Sequence, residues 1–433
     1  MEFKMNVNEF VSSLSGGLLD GRLRELYGTS ETELLRQRAR YISAVENFSR
    51  MYPEHSEIRI FSAPGRSEVG GNHTDHQNGC VIAAAVNLDV IAVTAVNDDD
   101  VIRIKSEGHK ADEIDLSSLE AVPEEKGHAG AMIRGIAAKF KERGEDIHGF
   151  DAYTTSDVLS GSGLSSSAAF EVLVGTILDR LFCGGSVGAV EIARFGQYAE
   201  NSYFGKASGL MDQMVSSVGG FVYIDFENPS EPVIDYVQFD FDSAGYSLCI
   251  TDTKGSHADL TDDYSAIPTE MKHVASMFGA QVLRQVDEDE FYEKIPELRE
   301  KCTDREILRA AHFFSENARA KAEADTLKIG DTEEFFRLVR ESGEASAELL
   351  QNLYSPSHPE TQGITLALML SRHFLSDCGA ARVHGGGFAG TIQAFVPKYL
   401  AQEYLAQMNR VFGEGSCHIL AVRSDGGTEI TIG

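Results

Sequence analysis

Apolar positions change their spacing several times along this chain, and each change marks an element. Residues 1–55 repeat them at helical intervals with charge on the opposite face (ETELLRQRARYISAVENFSRMY). Two apolar runs follow, residues 58–63 and 81–96, and the second is nearly unbroken, as expected of a central strand buried on both faces. The pattern predicts further strands over 101–105, 150–155, 221–225, 246–252, 381–384, 390–396 and 417–422. Helices are expected over 129–143, from 164 onward, and over 190–203, 209–218, 365–376 and 398–412. Between about 256 and 353 helical spacing dominates, with an interruption near 328–331. Strands and helices interleave without an internal repeat.

A length of 433 residues exceeds one ordinary core. Two units are expected, 1–235 and 236–433, from a change of texture somewhere in 225–255. The 67 acidic residues outnumber the 38 basic ones for a net charge of −29, which disfavours nucleic acid and anionic membranes as partners. Six cysteines without a CxxC pair read as free thiols in a reducing compartment. No stretch offers about 18 uninterrupted apolar residues. A cytoplasmic location, small-molecule ligands, and a monomer or weak homo-oligomer are expected.

Residues 157–171, DVLSGSGLSSSAAFE, place two glycines and a run of small hydroxyl residues between a strand and a helix. Little side-chain bulk at 160–163 lets a ligand approach the backbone. The following helix would present free N–H groups and its positive dipole end to an anion, which makes the segment a candidate phosphate cradle. It carries neither the lysine of a P-loop nor the third glycine of a dinucleotide fingerprint. Residues 63–79, APGRSEVGGNHTDHQNG, gather Arg66, Glu68, Asn72, His73, Asp75, His76 and Gln77 between two apolar strands, as a loop that meets a hydroxyl-rich ligand, a metal site or a solvated turn. Asp212, between Met211 and Met214, is a carboxylate in apolar company, which needs a partner, a helix cap or a catalytic task. GGGFAG (385–390) lets backbone pass close to a ligand or to the first glycine loop.

Taken in this order, the clusters resemble the sugar-kinase branch of the GHMP kinases. Residues 65–79 resemble the family's GRVNLIGEHTDYNGG, and residues 161–169, GSGLSSSAA, resemble the end of its PxGxGLSSSAA. The stretch AEN-Y-G…G-MDQ corresponds to 199–213, HADLTDDY (257–264) resembles the segment that brings a tyrosine to the sugar, and GGGFAG resembles GGGFGG. The resemblance implies an α+β chain with the two-lobed GHMP kinase fold: an N-terminal lobe with a mixed sheet and helices, and a C-terminal lobe with an antiparallel sheet and helices. It implies transfer from ATP, with Mg²⁺, to the anomeric hydroxyl of a hexose, galactose first, with galacturonate or an N-acetylhexosamine as alternatives and a non-catalytic sugar sensor as a remote one. Arg66 and Asp212 would be catalytic, and Asn72, His73, Asp75, Gly209 and Tyr264 would bind the sugar. Gly161, Ser162, Gly163, Leu164, Ser165, Ser166 and Ser167 would hold ATP, and Ser166 or Ser167 would reach Mg²⁺. Gly385, Gly386 and Gly387 would form a structural turn.

Three of the departures from the family pattern in the first motif bear on the site. Glu68 stands where the family has Asn, Asn72 where it has a Glu that approaches the sugar C6 hydroxyl, and His76 where it has Tyr. Glu68 is therefore expected as an added partner for Arg66. Ala389 replaces a glycine, which is mild if its φ is negative.

Overall fold

The computed structural model describes residues 5–158, 163–206, 208–255 and 260–431. Gly161, Ser162 and the segment 256–259 lie outside the described residues.

The apolar run at 81–96 becomes a 17-residue strand, Cys80–Val96, at the centre of a nine-stranded sheet. One edge pairs antiparallel with Glu57–Gly70. The other serves two partners, Phe150–Ser156 along its second half and Phe221–Asp225 along its first. Val101–Ser106 runs parallel to Phe150–Ser156, joined to it through the helix Ala129–Arg143, so the sheet is mixed. A second sheet of four antiparallel strands has the order Ala380–His384, Thr391–Pro397, Tyr246–Asp252, Cys417–Leu420. Helices Thr261–Ser276, Asp304–Lys328 and Thr332–Ala345 lie in the chain between Tyr246–Asp252 and Ala380–His384 of the second sheet, with the expected interruption after Lys328. This is the expected α+β architecture.

Strands up to Tyr236 belong to the first sheet, and those from Tyr246 to the second, except Thr428–Glu429, which returns to pair with Glu57–Gly70. We propose that 1–235 and 236–433 are lobes of a single folding unit. One buried apolar cluster supports this, because it joins Phe61, Ile82 and Leu173 to Leu248, Phe335 and Phe395 across the boundary.

The first sheet corrects the sequence reading. Residues 65–70 do not form a loop: the strand continues through Pro64 and Gly65 to Gly70, absorbing two register shifts, at Pro64/Arg66 and Glu68/Gly70. Such irregularities re-aim side chains without ending the pairing. They put Arg66 and Glu68 on rigid backbone, and only residues 71–79 form the connection to the next strand. Four short strands escaped the pattern: Met5–Asn6, Ala111–Asp115, Val233–Tyr236 and Thr428–Glu429. Each is five residues or fewer, too short for alternation to register. All six cysteines are free. No helix among the described residues is long and apolar enough to cross a membrane.

Candidate active site

Arg66 and Asp212 are far apart in sequence and meet at the end of the glycine loop. Arg66 lies at the bulged part of its strand and is 6% exposed. Its Nε donates to Asp212 Oδ1 at 2.7 Å, its Nη2 lies 2.6 Å from the same oxygen, and its Nη1 donates to the carbonyl of Gly163. The Arg66 backbone N–H also donates to Leu164 O at 3.0 Å. The other oxygen of Asp212 accepts from the Ser165 hydroxyl at 2.6 Å. Burial alone would raise the Asp212 carboxyl. The Arg66 guanidinium and the Ser165 hydroxyl outweigh it and hold the group at about 2, so it is ionised throughout the neutral range.

Ser165 has a left-handed φ of 57° and makes no side-chain capping bond to the helix it precedes, Ser166–Phe182. A serine there ordinarily satisfies a first-turn N–H. Here its hydroxyl is committed to Asp212, and the helix start presents an uncapped N-terminal end beside an arginine. Gly163 has φ 71°, and a Cβ on it would press on Thr391 and His384, so only glycine fits this passage.

Behind Ser165 lies a residue that the sequence reading missed. Ser167 Oγ donates to Glu200 Oε1 at 3.2 Å; Glu200 is buried and is paired with Lys206 Nζ at 2.7 Å. Gln213 bridges the Glu200 and Glu171 carboxyls at 3.0 and 2.9 Å. Burial, then the nearby Glu200 charge, pushes Glu171 well above the usual carboxyl range. The available signal for Glu200 was its place in the AEN stretch. Its chemistry depends on Ser167, 33 residues away.

The connection 71–79 and the turn 385–390 converge beside Arg66. His73, at φ 63°, directs Nε2 to the carbonyl of Gly386 at 3.0 Å. That bond makes Nε2 the donor and leaves Nδ1 as an acceptor. Burial, with His76 stacked at 6.0 Å, lowers His73 to about 3 and keeps it neutral. Gly209 abuts the Asp75 carboxyl so closely that a Cβ would overlap it. Tyr264 donates its hydroxyl to Gly387 O at 2.9 Å and packs edge-on to Phe388. Gly385 approaches Gly163 closely enough for an added Cβ to sit 3.7 Å from its Cα, so the two glycine segments touch. Ala389 is not among the positive-φ residues; Phe388, at φ 57°, takes that conformation instead.

Two expectations fail here. Asn72 does not face an open pocket. It is fully buried, its amide donates to Glu68 Oε1 and Gly385 O, both at 2.8 Å, and its oxygen accepts from Asn352 at 2.9 Å. Three protein partners occupy the groups a sugar hydroxyl would need. Glu68 is likewise not the partner of Arg66. Its ion pair is with Arg382 at 2.7 Å, on the strand before the glycine turn. Burial raises Glu68 to about 7 against the pull of Arg382 and Arg66. Arg382 and Asn352 were not identified from the sequence. They tie the sugar-motif strand to the glycine turn from behind.

Comparison with known proteins points the same way. A family model described as "GHMP kinases N terminal domain" matches residues 131–220, and one described as "Galactokinase galactose-binding signature" matches residues 46–96. The chain is 30% identical over 377 residues to a galactokinase of Glaesserella parasuis, spanning 83% of this chain and 92% of that one. It is 32% identical to a galactokinase of Actinobacillus pleuropneumoniae, spanning 82% and 89%. Among solved structures, Lactococcus lactis galactokinase complexed with galactose superposes with a TM-score of 0.77 at 23% identity, covering 88% of this chain and 98% of that one. A mevalonate kinase gives 0.58 at 17% identity, covering 84% and 98%.

Proposed function

Because the chain belongs to the galactokinase family of the GHMP kinases, we propose that it transfers the γ-phosphoryl group of ATP to the anomeric hydroxyl of galactose. The observation that carries this reading is the Arg66–Asp212 ion pair, fastened to Gly163 and Ser165 at an uncapped helix end. Phosphoryl transfer asks for positioning and charge neutralisation more than covalent help. The end of the glycine loop and the start of Ser166–Phe182 would hold the nucleotide phosphates through backbone N–H groups.

Asp212 would receive the anomeric O–H on the oxygen that Ser165 now occupies. A carboxylate held at about 2 is a weak base. Its task is therefore to orient the hydroxyl and to take the proton late, as bond formation to phosphorus acidifies it. Arg66 keeps Asp212 ionised and stands where charge develops on the transferring group. His73 Nδ1, Asp75, the backbone at Gly209 and Tyr264 would surround the sugar, with Asn72 bracing them through Glu68 and Asn352. Each buried polar partner left unmatched by a wrong epimer costs about 1–3 kcal/mol.

Ser167 and Glu200 offer a hydroxyl and a carboxylate side by side, hard oxygen donors of the type Mg²⁺ prefers. We assign Mg²⁺ to Ser167 and Glu200. When bound, it would neutralise phosphate charge. Glu200→Gln keeps the shape and removes the charge. It is expected to raise the Mg²⁺ concentration needed for nucleotide binding by about 10–100-fold, with little change in the affinity for galactose alone. Titration calorimetry of each ligand checks both.

The reading itself is tested by ADP release against a panel of galactose, glucose, galacturonate and N-acetylgalactosamine, with the product identified by phosphorus NMR. Galactose is expected to turn over fastest and to give the 1-phosphate. ATP turnover with none of the four sugars would refute the reading.

A further inference from the structure

We propose that His273, Cys302 and Glu306 form a second metal site, for a zinc-class divalent cation, remote from the sugar chemistry. One ligand atom from each lies within 4.8 Å of the other two. His273 is in the last turn of Thr261–Ser276; Cys302 and Glu306 flank the start of Asp304–Lys328. The three donors thus come from two packed elements and converge on one point.

The carboxylate is pre-oriented. Glu306 Oε2 accepts the Thr303 backbone N–H at 2.5 Å, which turns Oε1 toward His273 Nδ1, 2.6 Å away. Hydrogen bonding of this kind behind a ligand fixes its direction in metal sites. The Cys302 backbone is pinned by its N–H to Leu298 O at 2.7 Å. The neighbouring arginines are engaged elsewhere, Arg305 with Glu270 and Arg299 with Asp304.

The donor set selects the metal. A thiolate, an imidazole and a carboxylate suit zinc, with a fourth position for water, whereas Mg²⁺ and Ca²⁺ take oxygen ligands. Two anionic ligands would balance the dication, which offsets the positive helix end beside it. The Cys302 donor enters as a thiol and binds as a thiolate. Uptake breaks its S–H bond, forms the sulfur–metal bond and releases the proton to solvent. The other triad, Glu54, His55 and Asp151, is less suited, because Asp151 already accepts from His55, Arg103 and Asn97. The proposed site would clamp the end of the helix whose first turn carries Tyr264, about 13 Å away along the axis.

Chelator-treated protein, without nucleotide, is titrated with Co²⁺ and followed by absorbance. A thiolate-to-cobalt charge-transfer band is expected, saturating at one equivalent and abolished by Zn²⁺. Cys302→Ser should remove the band and weaken Zn²⁺ binding at least about tenfold, and His273→Ala should weaken it similarly. Circular dichroism confirms that each variant is folded. No such band in the wild-type protein under excess Co²⁺ would overturn the proposal, as would a band that survives in Cys302→Ser.

Discussion

Asp212→Asn is expected to lower kcat by about 10²–10⁴-fold, the range for losing a positioned acid–base partner, while ATP affinity changes little. The amide can still accept a bond from Ser165, so the loop end keeps its anchor. It has lost the charge that draws the anomeric O–H and the basicity that takes its proton. The substitution also leaves Arg66 buried without its direct counter-ion. Stability should fall by about 1–3 kcal/mol, the usual cost of stranding a buried partner. The pH dependence follows from the direction of the Asp212 shift. Its folded-state pKa is about 2 against an ordinary 3.8, so the ionised group contributes stability that is complete above the ordinary value and lost as pH falls toward 2. At neutral pH the wild-type enzyme should therefore show no ionisation of Asp212 in kcat/KM. Rapid-quench kinetics and denaturant melts of the two proteins measure both effects. An Asn variant that turns over at the wild-type rate would remove Asp212 from the chemistry.

What the sequence disclosed depended on whether residue type alone carried the chemistry. Glycines and serines before an apolar helix announce a close backbone approach, and Asp212 between two methionines is conspicuous wherever the chain folds. The ends of Ala129–Arg143 and Tyr246–Asp252 were legible because apolar spacing is strong in both. Glu200, Arg382 and Asn352 were not, because the residues they serve lie far away in sequence, and only Glu200, in the AEN stretch, carried a local signal. They matter through Ser167, Glu68 and Asn72, each contact spanning 33 residues or more. The stretch 65–70 was misread for the opposite reason. Proline, two glycines and charge look like a loop, but bulges let the strand run on, and the sheet decides the backbone. Asn72 shows the same limit from another side. Its polarity suggested a ligand contact, and burial against Glu68 and Asn352 gave it protein partners instead.

Arg66→Ala should cost turnover about 10³-fold or more, the scale set by arginines that stabilise phosphoryl transfer, and should create an ionisation that the wild-type enzyme lacks. One side chain supplies a fork to Asp212, a bond to the carbonyl of Gly163 and the charge beside the transferring group. Without it, burial becomes the dominant influence on Asp212. Its carboxyl then moves up from about 2, because the largest effect opposing ionisation is no longer countered by the nearest cation. The acid limb of kcat/KM should shift upward into the measurable range, and activity should recover as pH rises through the new pKa. Arg66→Lys separates charge from geometry. An ammonium restores a positive point but cannot reach Asp212 and the Gly163 carbonyl together. It should return Asp212 toward its low pKa while leaving the loop end loose, seen as a raised KM for ATP and a kcat still well below wild type. If Arg66→Ala shows neither the loss nor the new acid limb, another cation must perform the charge stabilisation, and Lys206, which already acts on Asp212, is the first to examine.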